Sequence, residues 1–165
     1  MAAAATDAIR ADDGFVRLAA AVPLRAGADA VADLLERGVA GWEERPGLEG
    51  IRRYAVDLRL RLGGPGAALS TFRKAALVDI GTVARGAGVH EVEIQWRAAT
   101  AAPLFPVFSG VLRIGPDDLA ISGLYAPPGG AVGRLADRAL LHVAATGTAR
   151  WLLGEIQREA LASRG

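Results

Sequence analysis

The chain has 165 residues, enough for one domain with a sizeable core and too few for two of ordinary size. Hydrophobic residues at 52% and charged residues at 22% exclude global disorder, and 19 basic against 18 acidic residues, a net charge of +1, lack the basic excess of nucleic-acid binders. With no cysteine and only His90 and His142 as histidines, disulfides, thiolate metal sites, thiol nucleophiles and a three-histidine zinc site are excluded.

Residues 1–12 read as a flexible N-terminal tail and 13–165 as a single domain. Asp7, Arg10, Asp12 and Asp13 interrupt the N-terminal segment, which has neither a basic start nor a continuous apolar run, so it does not read as a signal peptide. Ala98–Leu112, an uncharged stretch that no other exceeds in length, is too short to span a bilayer and contains Pro103, Pro106 and Gly110. The expectation is a cytoplasmic protein without stable membrane insertion. Lys74 is the sole lysine, and the abundance of Arg, Ala and Gly is that of a GC-rich bacterial coding sequence.

Phe15–Leu24 alternates, with Val16, Leu18, Ala20, Val22 and Leu24 on one face, and predicts a strand. In the next segment Val31, Leu34 and Leu35 follow helical spacing, with Asp29 as N-cap. Gly38 and Gly41 interrupt it, which predicts one bent helix or two short ones. Tyr54, Val56, Leu58, Leu60 and Leu62 alternate with Arg53, Asp57, Arg59 and Arg61, which predicts a strand with one buried and one solvated face. Gly63-Gly64-Pro65-Gly66 is a turn between strands. It lacks the Lys-Ser/Thr of a phosphate loop. Leu69–Val83 predicts another strand, with Phe72, Ala76, Val78 and Ile80 on one side. Lys74 on that side suggests a bulge or a strand end.

Val89–Ala98 places His90, Val92, Ile94 and Trp96 on one face, with Glu91, Glu93, Gln95 and Arg97 on the other. Val107–Ile114 and Leu119–Tyr125 flank the Gly115-Pro116-Asp117-Asp118 turn. Pro127-Pro128-Gly129-Gly130 precedes a long helical pattern, Ala131–Ser163. Helices set apart from a meandering sheet make an α+β domain, and only the last helix is long enough to cover the sheet. On that helix, Leu135, Ala139, His142, Val143, Thr146, Ala149, Arg150 and Leu153 share the less charged side, so His142, Thr146 and Arg150 form a polar stripe at spacing four. Ser70, Ser109 and Ser122 have neither the turn nor the base of a serine hydrolase.

The element order, and the stretch LFPVFSGVLRIGPDDLAISGLYAPPGGAVGRLADRALLHVAATGTARWLL with its Gly-Pro-Asp turn and Tyr-x-Pro-Pro-Gly, resemble the helix-grip fold of the SRPBCC (START-related, polyketide cyclase-like) superfamily over residues 14–162. The resemblance implies a curved antiparallel sheet of about six strands wrapped round the C-terminal helix. It also implies an apolar cavity between them that takes a lipid, quinone or polyketide-like molecule. Tyr54, Trp96, Phe108 and Tyr125 would then wall the cavity, with His90 at its mouth. Arg150 would hold a ligand carboxylate or carbonyl, beside His142 and Thr146. Each of these residues also has a plain structural reading, as core packing, a backbone-bonded histidine or a rim arginine. The runner-up reading is a polyketide cyclase or aromatase, for which His142, Arg150 and Tyr125 are the catalytic candidates. A third is a protein-interaction module like the chaperone activators of that superfamily. No metal or cofactor is expected, and self-association as a homodimer stays open.

Overall fold

The computed structural model describes residues 15–62, 70–99, 107–126 and 136–163. The expected tail, the Gly63–Gly66 turn, Pro103 and Pro106, and the Pro127–Gly130 segment lie outside the described residues. Eight strands and two helices follow in the order β1 (Val16–Pro23), α1 (Ala28–Arg37), β2 (Glu43–Arg45), β3 (Arg52–Leu62), β4 (Ser70–Ile80), β5 (Ala84–Arg85), β6 (His90–Ala98), β7 (Val107–Ile114), β8 (Asp118–Ala126) and α2 (Ala136–Ala162). All strands join one antiparallel sheet with the order β1-β8-β7-β6-β4-β3-β2, and β5 pairs with β6 off this path.

The domain is therefore α+β, with eight strands where about six were expected. β2 and β5 are the short ones, of three and two residues. No alternation is legible over such lengths, because pairing with a neighbour defines them and burial does not. Where one bent helix or two short ones were expected after β1, there is one short helix, α1. It ends at Gly38, whose φ of 106° suits glycine and whose N–H bonds back to the Leu34 carbonyl. Gly27, not Asp29, holds the N-cap position. The bulge suspected at Lys74 is absent, since β3 and β4 pair without interruption from Arg52↔Ile80 to Leu62↔Ser70.

The alternation of the long strands decides which face is buried. Leu18, Tyr54, Val56, Leu58, Ala76, Val78, Ile80, Val92, Ile94, Trp96, Leu112, Ile114, Leu119 and Ile121 all belong to the core. The opposite face carries exposed Asp57, Glu91, Glu93, Gln95 and Arg97. There Arg53 and Asp79, directly opposed in register, form a two-pronged ion pair at 2.6 and 2.8 Å.

α2 packs chiefly on β3 and β1. These strands are five steps apart in the sheet, about 24 Å if it were flat, at about 4.8 Å per step. A helix is only about 10–12 Å across with its side chains. One helix touches both strands because the sheet curls around it. No helix among the described residues is long and apolar enough to cross a membrane.

Candidate functional site

Antiparallel register gathers side chains that are far apart in sequence. Tyr54 pairs with Val78, Val78 with Trp96, Trp96 with Phe108, Phe108 with Tyr125, and Tyr125 with Val16. The four aromatic candidates thus form a single cross-strand row on the helix-covered face, running through β3, β4, β6, β7, β8 and β1. All four are fully buried.

Trp96 and Phe108 stack face to face, with ring centroids 3.9 Å apart and planes inclined by 16°. Two glycines make room for this stack. Gly110 and Gly123 oppose each other one row along, and a Cβ on either would lie 2.6 or 2.8 Å from Phe108 Cζ. The Phe108 ring therefore lies over bare backbone. Sequence reasoning passed over both glycines, since a glycine inside a strand shows its purpose only once its cross-strand partner is known.

The row differs from end to end in how its polar atoms are satisfied. The Tyr54 hydroxyl accepts a hydrogen bond from the Val39 N–H at 3.3 Å, and its ring meets Trp42 edge-on at 5.5 Å. Tyr54 therefore secures the chain that leaves α1. Trp96 Nε1 is buried and has no hydrogen-bond partner among the described residues. An indole N–H can only donate, so the atom lacks an acceptor. The Tyr125 ring lies 6.4 Å from the His142 imidazole near the start of α2.

α2 is rotated from the expected facing. Its buried positions are Ala145, Thr148, Ala149, Leu152, Leu153, Ile156, Gln157 and Ala160. Ala149 and Leu153 face inward as expected, whereas His142, Val143 and Arg150 are exposed and Trp151 is half-buried. The physical reason is the cost of charge burial. A guanidinium taken from water with no carboxylate to meet it is far more costly than turning the helix by about one position, which buries Leu152 and Ile156 instead. Thr146 is half-buried and Thr148 buried, and the hydroxyl of each is buried without a partner among the described residues.

His90 lies on the same sheet face as the aromatic row but six residues from Trp96 along β6, about 20 Å away. It is buried, and its Nε2 is 3.1 Å from Asp29 of α1. The same helix face presents Asp33 and Glu36 to Arg85 of β5, at 2.5 and 2.9 Å. The hydrogen bond from Arg85 holds the Glu36 carboxyl below its ordinary pKa, against a smaller desolvation effect. The Arg85 guanidinium is raised in turn, first by Glu36 and then by Asp33. His90 and Arg85 thus fasten α1 across one end of the sheet. The buried His90 Nδ1 has no partner among the described residues.

A separate cleft of about 330 Å³ opens where α1 ends, between Leu35, Ile51 and Val83, with Glu36, Arg52 and Thr82 at its polar side. Those polar groups are already engaged. Arg52 bonds Glu44 and the Glu36 carbonyl, Glu36 bonds Arg85, and Thr82 bonds the Gly50 carbonyl. The cleft is built from the end of α1, the start of β3 and the segments before β3 and after β4, so no sequence motif announced it. Among the described residues no group of three His, Asp or Glu side chains is placed to hold a metal ion.

The best-founded candidate site is therefore the aromatic row between sheet and α2, centred on Trp96 and Phe108. It is a buried aromatic row whose Trp96 Nε1 has no hydrogen-bond partner among the described residues, and α2 buries the Thr148 hydroxyl likewise without one. No family model matches the chain, and no curated protein matches it.

Proposed function

We propose that the domain is of the helix-grip type and binds a hydrophobic small molecule between the sheet and α2, of lipid, quinone or polyketide-like chemistry. The order of elements and a sheet curled round the C-terminal helix support the fold half of this reading. The observation that carries the binding half is Trp96 Nε1. A donor buried in an apolar wall with no acceptor costs about 1–3 kcal/mol. A ligand oxygen would remove that penalty while its rings or chain lay against Trp96 and Phe108. The ligand class follows from this chemistry: mostly apolar, planar or extended, with a carbonyl-type acceptor. Thr148 Oγ1 would offer a second polar contact from the helix side.

Arg150 is exposed, so it does not anchor the ligand in this arrangement. Binding without turnover is the reading we adopt. The test is isothermal titration with a short-chain benzoquinone, which carries a flat ring and two carbonyl acceptors. Trp96→Phe keeps an aromatic ring and removes the donor, and should weaken binding roughly tenfold, about 1.4 kcal/mol. Arg150→Ala should leave binding unchanged. Equal affinity for wild type and Trp96→Phe would remove the donor from the account.

A further inference from the structure

The two edges of the sheet are built differently. At one edge, β2 has three residues, Glu43, Glu44 and Arg45, all charged and exposed. A short, charged edge resists pairing with another strand. At the other edge, β1 is eight residues long, and its one charged side chain is Arg17.

The hydrogen-bond phase of β1 follows from its pairing with β8. Val16 to Pro23 pair with Tyr125 to Asp118, and the Leu24 N–H bonds the Asp117 carbonyl at 2.8 Å. In an antiparallel ladder, alternate residues turn both backbone groups toward the same neighbour. Even-numbered residues therefore bond β8, and odd-numbered residues point to the free edge. Gln157 of α2 agrees with this phase. Its side-chain amide donates to the Pro23 carbonyl at 3.1 Å and accepts from the Arg25 N–H, as one residue of a neighbouring strand would. Among the described residues, Gln157 alone closes the edge, and only at its end. The N–H and C=O groups of Arg17, Ala19 and Ala21 remain directed outward, and all three residues are exposed.

We propose that this free edge of β1 pairs antiparallel with β1 of a second copy of the chain, about a two-fold axis at Ala19. The occupant is a second copy because the strand is complementary to itself in this register. Ala19 faces its own equivalent, and Arg17 faces the second copy's Ala21. All the outward groups of these three residues are then bonded. On the helix side, the half-buried Val16 and Val22 come opposite one another. The two arginines are four residues out of register, so no like charges oppose. The ladder stops where Gln157 already occupies the edge at Pro23 and Arg25.

The contact is a strand edge, well short of the ~800 Å² per partner of a standard interface, so the dimer is reversible. Sedimentation velocity on the full chain at roughly 5 to 500 µM covers the range such an edge supports. The wild type should move from 17.0 kDa toward twice that mass with rising concentration. Ala19→Pro deletes an N–H that points away from β8, so the β1–β8 ladder keeps its bonds while the edge loses a donor. Ala19→Lys places two like charges face to face on the exposed side. Both variants should stay monomeric at the highest concentration, with unchanged far-ultraviolet circular dichroism. Should Ala19→Pro fail to fold, Ala19→Lys decides alone. A wild type that is monomeric throughout, or a dimer that a folded variant at Ala19 leaves intact, overturns the proposal.

Discussion

Trp96 illustrates what a single side chain can and cannot disclose. Its alternation with charged neighbours placed it in the core, where it is. Neither its stacking on Phe108 nor its lack of an acceptor follows from alternation, because both depend on strands brought together by register. The same holds for Gly110 and Gly123. Gly123→Ala would place a Cβ 2.8 Å from Phe108 Cζ and 2.6 Å from Gly110 Cα. That Cβ would lie closer still to the Ser109 carbonyl oxygen, so the β7 backbone and the ring must both shift, and the variant should lose about 1–3 kcal/mol of stability, as overpacked cores do. Urea unfolding measures the loss, and near-ultraviolet circular dichroism reads the disturbed stack. A Gly123→Ala variant with wild-type midpoint and spectrum would mean that the stack does not depend on the glycine floor.

The strands were more legible than the helices as elements. β3 and β6 lie where alternation puts them, and β7 lies beside the Gly115–Asp118 turn that marks its end. α2 was expected in the right place with the wrong face inward. Its Ala and Gly residues carry little preference for either environment, so the wheel alone could not fix its rotation. The facing that keeps Arg150 in water and buries Leu152 and Ile156 prevails. α1 is held by charge as well as by Val31, Leu34 and Leu35. Arg85 keeps Glu36 ionised to a lower pH than its ordinary value of 4.5. A carboxylate whose folded pKa is depressed stabilises the fold fully above its unfolded pKa, and that contribution fades as pH falls through the folded value. Arg85→Ala should therefore reduce stability at about pH 7, and the gap from wild type should narrow toward about pH 3. Denaturant midpoints across that range check it, and a gap that widens in acid would contradict the clamp.

For the whole molecule, the α+β class, the long terminal helix and the antiparallel sheet were legible, since each rests on patterns of ten residues or more. Strand order was not legible from alternation, because β1 pairs with β8 across almost the entire chain. The aromatic row is a consequence of that order. Tyr54, Trp96, Phe108 and Tyr125 come from four strands and meet only because every ladder between them keeps its register. Of the polar candidates, His142 lies beside Tyr125, Arg150 faces solvent, and His90 serves the junction with α1. Residue type alone could not separate these three roles, since each depends on which carboxylate or ring arrives nearby.

The central claim is that the row and α2 hold an apolar ligand with an acceptor for Trp96. Native mass spectrometry tests it most directly. The protein is examined as purified and again after incubation with fatty acids, quinones and aromatic polyketones, and bound species are identified by organic extraction. The account predicts a one-to-one adduct of an apolar molecule bearing a carbonyl-type oxygen, diminished in Trp96→Phe. A chain that carries no adduct as purified and takes up none from any of the three classes would contradict it.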